Sequence, residues 1–578
     1  MRKLNCAVVA LAFAFALCAS VEGAEGLRKD KEGWTVFTPS RDTRLIYVSS
    51  SHGDDATGRP HAPNDAAVGA NPFLPAGEVM AFRTVEAALE HARSGAADWV
   101  LLRRGDAWHQ RETIHSLPDG RSPSERFLLG SYGPDAARPL LKTGDLGNSI
   151  FLYGSFENMA IVGLHFLAHT RDTESPEFES YAGNSGFHLL VGPDGTGRHV
   201  LVEDCRVEFG SLVTQTREGT FRDLVVRRNL VLDAYSVTGH STGYYAHKVD
   251  GMLVEENIFD HNGWRLQGDG GRNRSEGRAT MFNHNTYFNA CRNVVFRGNM
   301  FLRAASMGNK WRADHTGGSS DLVVDDNLYV EGEIGIGIGG NTREPLRFQN
   351  VRITNNVMVG IGRTQPTGRT LGWNLGISDW EGGLVGGNCM IHQDNPQVGN
   401  VYGIRVGGGS TRNVRVQGNL IHGLHSTGAL VQLPGGADQR DITLTGNVVQ
   451  ATTGEAALVR AEGNLSPYRL ARNIYHSIRD PEQWFRIGDQ SYGLEGWTER
   501  TNETGAVARE VSFPDPQRTV AGYNAELGGE PTFEAFVAEV RRQSKANWRP
   551  RYTAGAVNDY IRAGFGMKRM EATGQAAR

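Results

Sequence analysis

The central part of the chain repeats a short phrase in which hydrophobic and polar residues alternate and an asparagine follows. Val294-Val-Phe-Arg-Gly-Asn299 and Leu322-Val-Val-Asp-Asp-Asn327 are two clear copies. Successive asparagines are separated by 28, 42, 28, 29, 32, 31 and 28 residues, and near-regular spacings of this length are typical of solenoid repeats. These asparagines are Asn229, Asn257, Asn299, Asn327, Asn356, Asn388, Asn419 and Asn447.

Each repeat is predicted to contain three short β-strands. The alternation has the period of two that belongs to a strand, and it extends over only a few residues on either side of the asparagine. Asparagine tolerates the left-handed backbone conformation, so we expect it at a sharp bend between two strands. A third strand precedes each phrase, as at residues 283–288 and 308–312. Stacked in register, such repeats form an all-β parallel β-helix, with the asparagines as an internal hydrogen-bonded ladder.

The two ends of the solenoid need covers, because unpaired strand edges invite association. Residues 84–93 have helical spacing and lead into an apolar strand at 99–102. Residues 532–543 place several apolar side chains on one helical face. We therefore expect a signal peptide at 1–23, a small α/β N-terminal cap with the first coils at 24–150, the β-helix at 151–480 and a helical C-terminal cap at 481–578.

The first residues indicate export from the cytoplasm. Arg2 and Lys3 precede an apolar run at 7–19 that is too short to span a bilayer, and small residues follow at Ser20 and Gly23. No later run is long enough for a membrane helix. We expect a periplasmic or secreted protein that does not insert into a membrane and acts as a monomer.

Two stretches outside the repeats, taken together with them, resemble a known group of proteins. Tyr47-Val-Ser-Ser-Ser51 lies at the entry to the solenoid, and the segment from Asn547 to Phe565 lies near its end. With the asparagine-terminated repeats they resemble secreted bacterial right-handed parallel β-helix proteins of the pectate-lyase-like superfamily. The resemblance implies the fold, and it leaves the activity open among lyases, hydrolases, esterases, epimerases and adhesins.

Charge is nearly balanced overall but uneven locally. The formal net charge of -4 and the pI near 6.5 argue against a nucleic-acid partner. Between Trp264 and Ala313, however, nine Lys or Arg residues face two acids. Such a cluster in one groove would attract an acidic polysaccharide. The candidate substrate-binding residues are Trp264, Arg265, Arg272, Arg274, Arg303 and His261, although His261 also suits a plain hydrogen-bonding role in its loop.

The third strands carry candidate catalytic groups. Lys310 and Arg312 are two residues apart, so their side chains leave the same face of the strand. Elimination at a uronate needs a cation to hold the carboxylate, a base to remove the neighbouring proton and an acid for the leaving oxygen. Lys310 and Arg312 are joined by candidates from the two preceding coils, which are His284, Tyr287, His247 and Tyr245. Tyr287 and Trp311 are also compatible with a purely structural aromatic stack, which we favour for Trp311.

Asn309-Lys310 is similar to the Asn-Lys-Ser strand of the alginate lyase and chondroitinase B family, in which the lysine is the base. Trp311 replaces the serine, and the next strand, at 335–340, lacks the arginine of that family. Calcium often neutralises the substrate carboxylate in that family, so the resemblance implies Asp314 or Glu331 as possible Ca²⁺ ligands. No acidic cluster has the spacing of a calcium site.

These observations predict a secreted lyase that cleaves a uronate-containing polysaccharide by β-elimination. Two alternatives stay open. A glycoside hydrolase would use two facing carboxyl groups, for which Asp250, Asp269, Asp314 and Asp379 are available. A non-catalytic carbohydrate-binding β-helix would present an exposed aromatic stripe without converging titratable groups.

Overall fold

The computed structural model describes residues 27–315, 317–341, 346–436 and 438–571. Its main body is three long sheets of parallel strands, with 14, 14 and 13 strands. Along the chain, a strand of the third sheet leads to one of the first sheet and then to one of the second, which completes a coil. The predicted all-β parallel β-helix is confirmed. The predicted signal peptide at 1–23 lies outside the described residues.

Each sheet collects one strand from every coil. The first sheet contains Leu45–Val48, Trp99–Arg103, Phe127–Tyr132, Phe156–Val162, Thr196–Glu203, Thr220–Arg227, Val249–Glu255, Arg292–Arg297, Ser319–Asp325, Phe348–Thr354, Trp380–Gly386, Arg412–Gln417, Arg440–Thr445 and Tyr468–Ala471. The second contains Ala107–His109, Leu140–Lys142, His165–Leu167, Arg206–Glu208, Leu230–Leu232, Ile258–Asp260, Met300–Leu302, Leu328–Val330, Val357–Val359, Cys389–Gln393, Leu420–Leu424, Val448–Ala451, Ile474–Ser477 and Val507–Ala508. The third contains Ile150–Gly154, Phe187–Val191, Leu212–Thr216, Thr242–His247, His284–Asn289, Met307–Arg312, Ile334–Ile338, Leu371–Ile377, Asn400–Val406, Ala429–Leu433, Ala457–Ala461, Phe485–Ile487 and the antiparallel Gln490–Tyr492.

The helices lie outside the solenoid body. They are α1 (Val85–Leu89), α2 (Leu494–Thr501), α3 (Val520–Glu526), α4 (Phe533–Val540) and α5 (Ala554–Gly564). Short 3₁₀ turns occur at His169–Arg171, Ser275–Gly277, Pro481–Gln483, Lys545–Asn547 and Pro550–Tyr552. No helix among the described residues is long and apolar enough to cross a membrane.

The asparagine ladder is present and continuous. Asn327 shows the pattern: its Nδ2 donates to Asn356 Oδ1 at 3.0 Å, and its Oδ1 accepts from the Nδ2 and the backbone N–H of Asn299, both at 2.9 Å. The same bonds join neighbours from Asn229 to Asn473. The position of the sharp bend differs from our expectation, because the residue before each asparagine, such as Asp326, has the positive φ. The asparagine is selected for its buried amide.

The ladder ends on a buried carboxylate. Asn473 Nδ2 donates to Glu503 Oε1 at 2.7 Å, and Trp497 Nε1 of α2 donates to Glu503 Oε2 at 2.8 Å. The Trp497 ring also stacks on Phe485 with centroids 4.9 Å apart. Helix α2 therefore covers the C-terminal end of the core, as expected of a helical cap.

The remaining C-terminal helices pack along the side of the solenoid. Strands of the second sheet such as Leu328–Val330 are buried on both faces, so their outward apolar side chains need a cover. Phe536, Val537 and Ile561 of α4 and α5 supply it. Residues 27–80 cover part of the first sheet in the same way, through Phe37, Phe73 and Val79. The apolar clusters that hold these two covers draw on the first and second sheets, so the outer face of the third sheet keeps its polar and aromatic side chains.

We expect Asn327→Ala to destabilise the fold strongly. The substitution leaves the buried Asn299 N–H and Phe296 carbonyl without their partners, which lowers the free energy of unfolding by roughly 2–5 kcal/mol. The measurement is the denaturation midpoint in guanidinium chloride, followed by circular dichroism. Asn464→Ala, at an exposed turn, is the control and should change the midpoint little. Equal midpoints for the two variants would contradict a stabilising ladder.

Candidate functional site

Side chains on the outer face of the third sheet stand in straight rows, because neighbouring coils pair in register. Tyr245 pairs with Tyr287, Tyr287 with Lys310, and Lys310 with Gly337. Trp311 points into the core and is 1% exposed, so its neighbours Lys310 and Arg312 point outward. We call the outward row through Lys310 the Lys310 row. It contains Phe151, His188, Val213, Tyr245, Tyr287, Lys310, Gly337, Gly376, Arg405, Gln432, Arg460 and Arg486.

Lys310 is half-buried among aromatic and cationic groups. Its Nζ lies 4.9 Å from the centroid of the Tyr287 ring, which meets the Tyr245 ring edge-on at 5.6 Å. Burial, with the positive charges of Arg312 and Arg369, lowers the pKa of Lys310 to about 8. A fraction of this amine is therefore neutral near pH 8 and able to accept a proton.

Both nearby arginines are held in place by carboxylates. Arg312 donates to the two oxygens of Asp314 at 2.9 and 3.1 Å. Arg369 pairs with the fully buried Glu333 at 2.7 Å and donates to Ser306 Oγ at 2.6 Å. These pairs fix the guanidinium groups in position while part of their positive charge is balanced.

The predicted histidines differ in their surroundings. His247 stacks edge-on against His315 at 4.5 Å, and burial with that neighbour lowers its pKa to about 4. His284 is completely buried, 5.8 Å from the Tyr287 ring, and burial with Lys310 nearby holds its pKa well below the usual range. Neither ring nitrogen of His284 has a hydrogen-bond partner among the described residues. Both imidazoles are neutral at physiological pH, and burial raises the pKa of Tyr245 to about 12.

Beyond Lys310 the row continues through two glycines. Gly337 and Gly376 occupy the next two positions, and the side chains of Met307 and Tyr402 lie against them: a β-carbon at Gly337 would be 3.1 Å from Met307 Sδ, and one at Gly376 would be 3.2 Å from the Tyr402 hydroxyl. Trp373 and Tyr402 stand at its margin with parallel rings 5.5 Å apart, and Trp373 Nε1 donates to Asn400 Oδ1 at 3.1 Å. Tyr402 is only 5% exposed, so Trp373 is the more accessible ring of this pair.

The middle of the long basic loop, residues 268–274, lies near these groups. Gly268 N–H donates to Pro366 O at 2.8 Å, which ties this loop to the loop that carries Arg369. Burial lowers the pKa of His240, and the positive charges of Arg274, Lys310 and Arg272 lower it further. These three charges therefore lie in one region. Arg265 is instead occupied by Glu276 O at 2.9 Å and by the Tyr181 ring.

Three predicted binding residues follow strands of the second sheet, on the side of the solenoid where the C-terminal helices pack. Arg303 pairs with Asp260 at 2.6 Å, and His261 pairs with Asp233 at 2.9 Å. Arg541, which follows α4, bonds both of these carboxylates. Trp264 Nε1 donates to Arg303 O at 3.0 Å. The structure does not bring this group to Lys310. It anchors the lateral helices to the solenoid, so Arg303 and His261 are occupied structurally.

The suggested calcium ligands do not come together. Asp314 is bound by Arg312 beside the third sheet, whereas Glu331 follows a strand of the second sheet, where burial raises its pKa. Within the described ranges, no group of three or more His, Cys, Asp or Glu side chains is placed to hold a metal ion. These residues therefore do not fit a calcium site.

The carboxylates considered for a hydrolase are also dispersed. Asp250 belongs to the first sheet, where it accepts from Asn293. Asp379 accepts from the backbone N–H of Asn341 at 3.1 Å, and Asp269 from that of Gly271 at 3.0 Å. Asp314 is paired with Arg312, so each of the four carboxylates already has a hydrogen-bond partner within the protein.

Several groups of this region were not predicted from the sequence. Arg369 and Glu333 come from loops outside the basic stretch, and His315 follows the strand by three residues. Trp373 lies two coils further on. The only signal for Arg369 is its position in a gap of 32 residues between Asn356 and Asn388, longer than most.

Similar proteins are found among solved structures but not among known families or curated sequences. No model of a known protein family matches the chain, and no curated protein sequence matches it either. Similar solved structures include a mannuronic acid-specific polysaccharide family 6 lyase from the human gut microbiota, with 14% identity over 77% of this chain and 90% of that one, at a TM-score of 0.41. A lacto-N-biosidase from Eubacterium ramulus has 15% identity over 81% and 67%, at 0.37. A mannuronan C-5 epimerase module from Azotobacter vinelandii has 13% over 74% and 95%, at 0.29. At these values the likeness concerns the course of the backbone.

Proposed function

We propose that this protein is an exported enzyme that cleaves a uronate-containing polysaccharide by β-elimination, with Lys310 as the base. The observation that carries the proposal is the environment of Lys310. A half-buried amine with a pKa near 8 stands on the uncovered sheet face, with Arg312 and Arg369 acting on it and Tyr287 in contact. The export part of the proposal rests on the N-terminal sequence alone.

In the proposed reaction, neutral Lys310 removes the proton from the carbon beside the substrate carboxylate. The electron pair of that C–H bond forms a double bond to the adjacent carbon, and the bond from that carbon to the glycosidic oxygen breaks. The Arg312 guanidinium stabilises the negative charge that develops on the carboxylate. Tyr287, whose ring contacts Lys310, donates its hydroxyl proton to the leaving oxygen and is reprotonated through Lys310.

This chemistry suits the site better than hydrolysis. Hydrolysis would need one carboxyl group that keeps its proton and a second that is ionised, both facing the scissile bond. Asp314 and Glu333 are instead paired with Arg312 and Arg369, so neither is presented to a scissile bond as one of two facing carboxyl groups. A neutral amine beside fixed cations is instead the arrangement that proton removal next to a carboxylate requires.

A substrate panel tests the reaction type. The purified protein is incubated with alginate, polygalacturonate, hyaluronan and neutral xylan, and products are followed by ultraviolet absorbance and by reducing ends. We expect absorbance of an unsaturated uronate with at least one acidic polymer and none with xylan. New reducing ends without absorbance would favour a hydrolase, and binding without either signal would favour a non-catalytic β-helix.

Removal of the proposed base should abolish turnover. Lys310→Ala is expected to lower kcat by about 1,000-fold or more while the thermal midpoint stays close to that of the unmodified protein, because the side chain lies on the outer face. Lys29→Ala, at a surface ion pair with Glu255, is the matched control and should keep full activity. Substantial turnover by Lys310→Ala would remove this residue from the mechanism.

The pH profile provides an independent check. The reactive form of Lys310 is neutral, so kcat/KM should rise with pH through about 8. Arg312→Gln removes a nearby positive charge, and the negative charge of Asp314 is then no longer balanced by Arg312; both changes raise the pKa of Lys310. The rising limb should therefore move to higher pH as the maximal rate falls. Arg415→Gln, on an exposed part of the first sheet, should leave the limb in place. A limb unmoved by Arg312→Gln would mean that another group titrates.

A further inference from the structure

Three arginines continue the Lys310 row toward the C-terminal end of the solenoid. Arg405 follows Gly376, Gln432 follows Arg405, and Arg460 and then Arg486 follow in direct register. All three arginines are half-buried on the outer face of the third sheet. Because coils are about 4.8 Å apart, six coils carry the row about 29 Å from Lys310 to Arg486.

These arginines lack the carboxylate partners that hold the other guanidinium groups of the site. Arg312 and Arg369 each pair with an acid, but no ion pair is found for Arg405, Arg460 or Arg486 among the described residues. The Nε atoms of Arg460 and Arg486 are buried and have no hydrogen-bond partner in the same ranges. Like charges directly opposite each other on neighbouring strands destabilise a sheet, so the adjacent pair Arg460 and Arg486 is unfavourable in the absence of an anion.

The other half of the row has a different character. From Phe151 to Tyr287 it consists of aromatic, aliphatic and neutral imidazole side chains, and burial lowers the pKa of His188. Positive charge along the row therefore extends from Lys310 in one direction only. An acidic chain lying along the row would meet successive cations on the C-terminal side and ring surfaces on the N-terminal side.

We propose that Arg405, Arg460 and Arg486 form an anion-binding track that holds carboxylates of a polyuronate several sugar units away from the cleaved bond. The identity of the polymer rests on the proposed function, whereas the track itself rests on register and unpaired charge. Gln432 separates Arg405 from the other two and offers an amide to the sugar hydroxyls. The length of the track selects long chains over short oligosaccharides.

Binding can be measured apart from catalysis. Affinity electrophoresis in gels containing polygalacturonate, alginate or neutral xylan compares the unmodified protein with the triple variant Arg405→Ala, Arg460→Ala, Arg486→Ala. A charge-assisted hydrogen bond to a carboxylate is strong, so the loss of three should weaken binding to at least one polyuronate by about tenfold or more. The salt dependence of binding should also become shallower. Binding of xylan should stay unchanged.

Arg415→Ala serves as the matched control, because Arg415 is an exposed arginine on the first sheet of the same coils. Thermal denaturation of each variant verifies that the fold is kept. If the triple variant is unstable, the single variant Arg405→Ala is measured instead, with an expected weakening of severalfold. Polyuronate binding equal to that of the Arg415→Ala control would overturn the track.

The outcomes separate this inference from the proposed function. Polyuronate binding that depends on the three arginines, in a protein that releases no unsaturated product, would support the track and contradict the lyase. An active lyase whose triple variant keeps its affinity and its preference for long chains would support the lyase and contradict the track. A loss of activity toward long polymers, with unchanged activity toward a trimer, would support both.

Discussion

The buried asparagine amide is the interaction on which the rest of this molecule depends. The side chain of each ladder asparagine satisfies polar groups of both neighbouring coils, so a coil shifted by one residue would leave several buried polar groups without partners. The apolar interior supplies most of the driving force for folding, but it is tolerant of small displacements. The amide ladder is directional, and it therefore defines which residue of one coil lies above which residue of the next.

Exact register has a direct consequence for chemistry on the outer face. Residues that are 23 to 42 positions apart in the chain become neighbours about 4.8 Å apart, as Tyr245, Tyr287 and Lys310 do. The second sheet carries apolar side chains outward and is covered by the C-terminal helices, while part of the first is covered by residues 27–80. The third sheet keeps outward groups that titrate, so the same register that builds the core also assembles the proposed site.

Much of the fold could be predicted from the sequence, because the spacing of the repeat indicates where each coil begins and ends. The asparagine spacing predicted the sheets, and the two-residue separation of Lys310 and Arg312 predicted that their side chains leave the same face of the strand. The loops were less predictable. Their conformations depend on contacts between coils, such as Gly268 with Pro366, which bring Arg369 beside Lys310. Arg303 and His261 looked like ligand-binding residues because the sequence does not show that they pair with Asp260 and Asp233. Arg541, more than 200 positions away in the chain, binds the same two carboxylates.

The carboxylate of Glu503 lies at the end of the ladder toward which the asparagine amides donate. Every side-chain amide from Asn229 to Asn473 donates toward the C-terminal end, so their dipoles add head to tail and leave positive polarity at Asn473. Glu503 places a negative group at that pole, in the same way that an acidic residue stabilises the amino end of an α-helix. The Glu503 carboxylate accepts a hydrogen bond from Asn473 and donates none, so the chain of side-chain amide hydrogen bonds ends there. A second solenoid stacked on this end would therefore have no amide with which to extend the ladder.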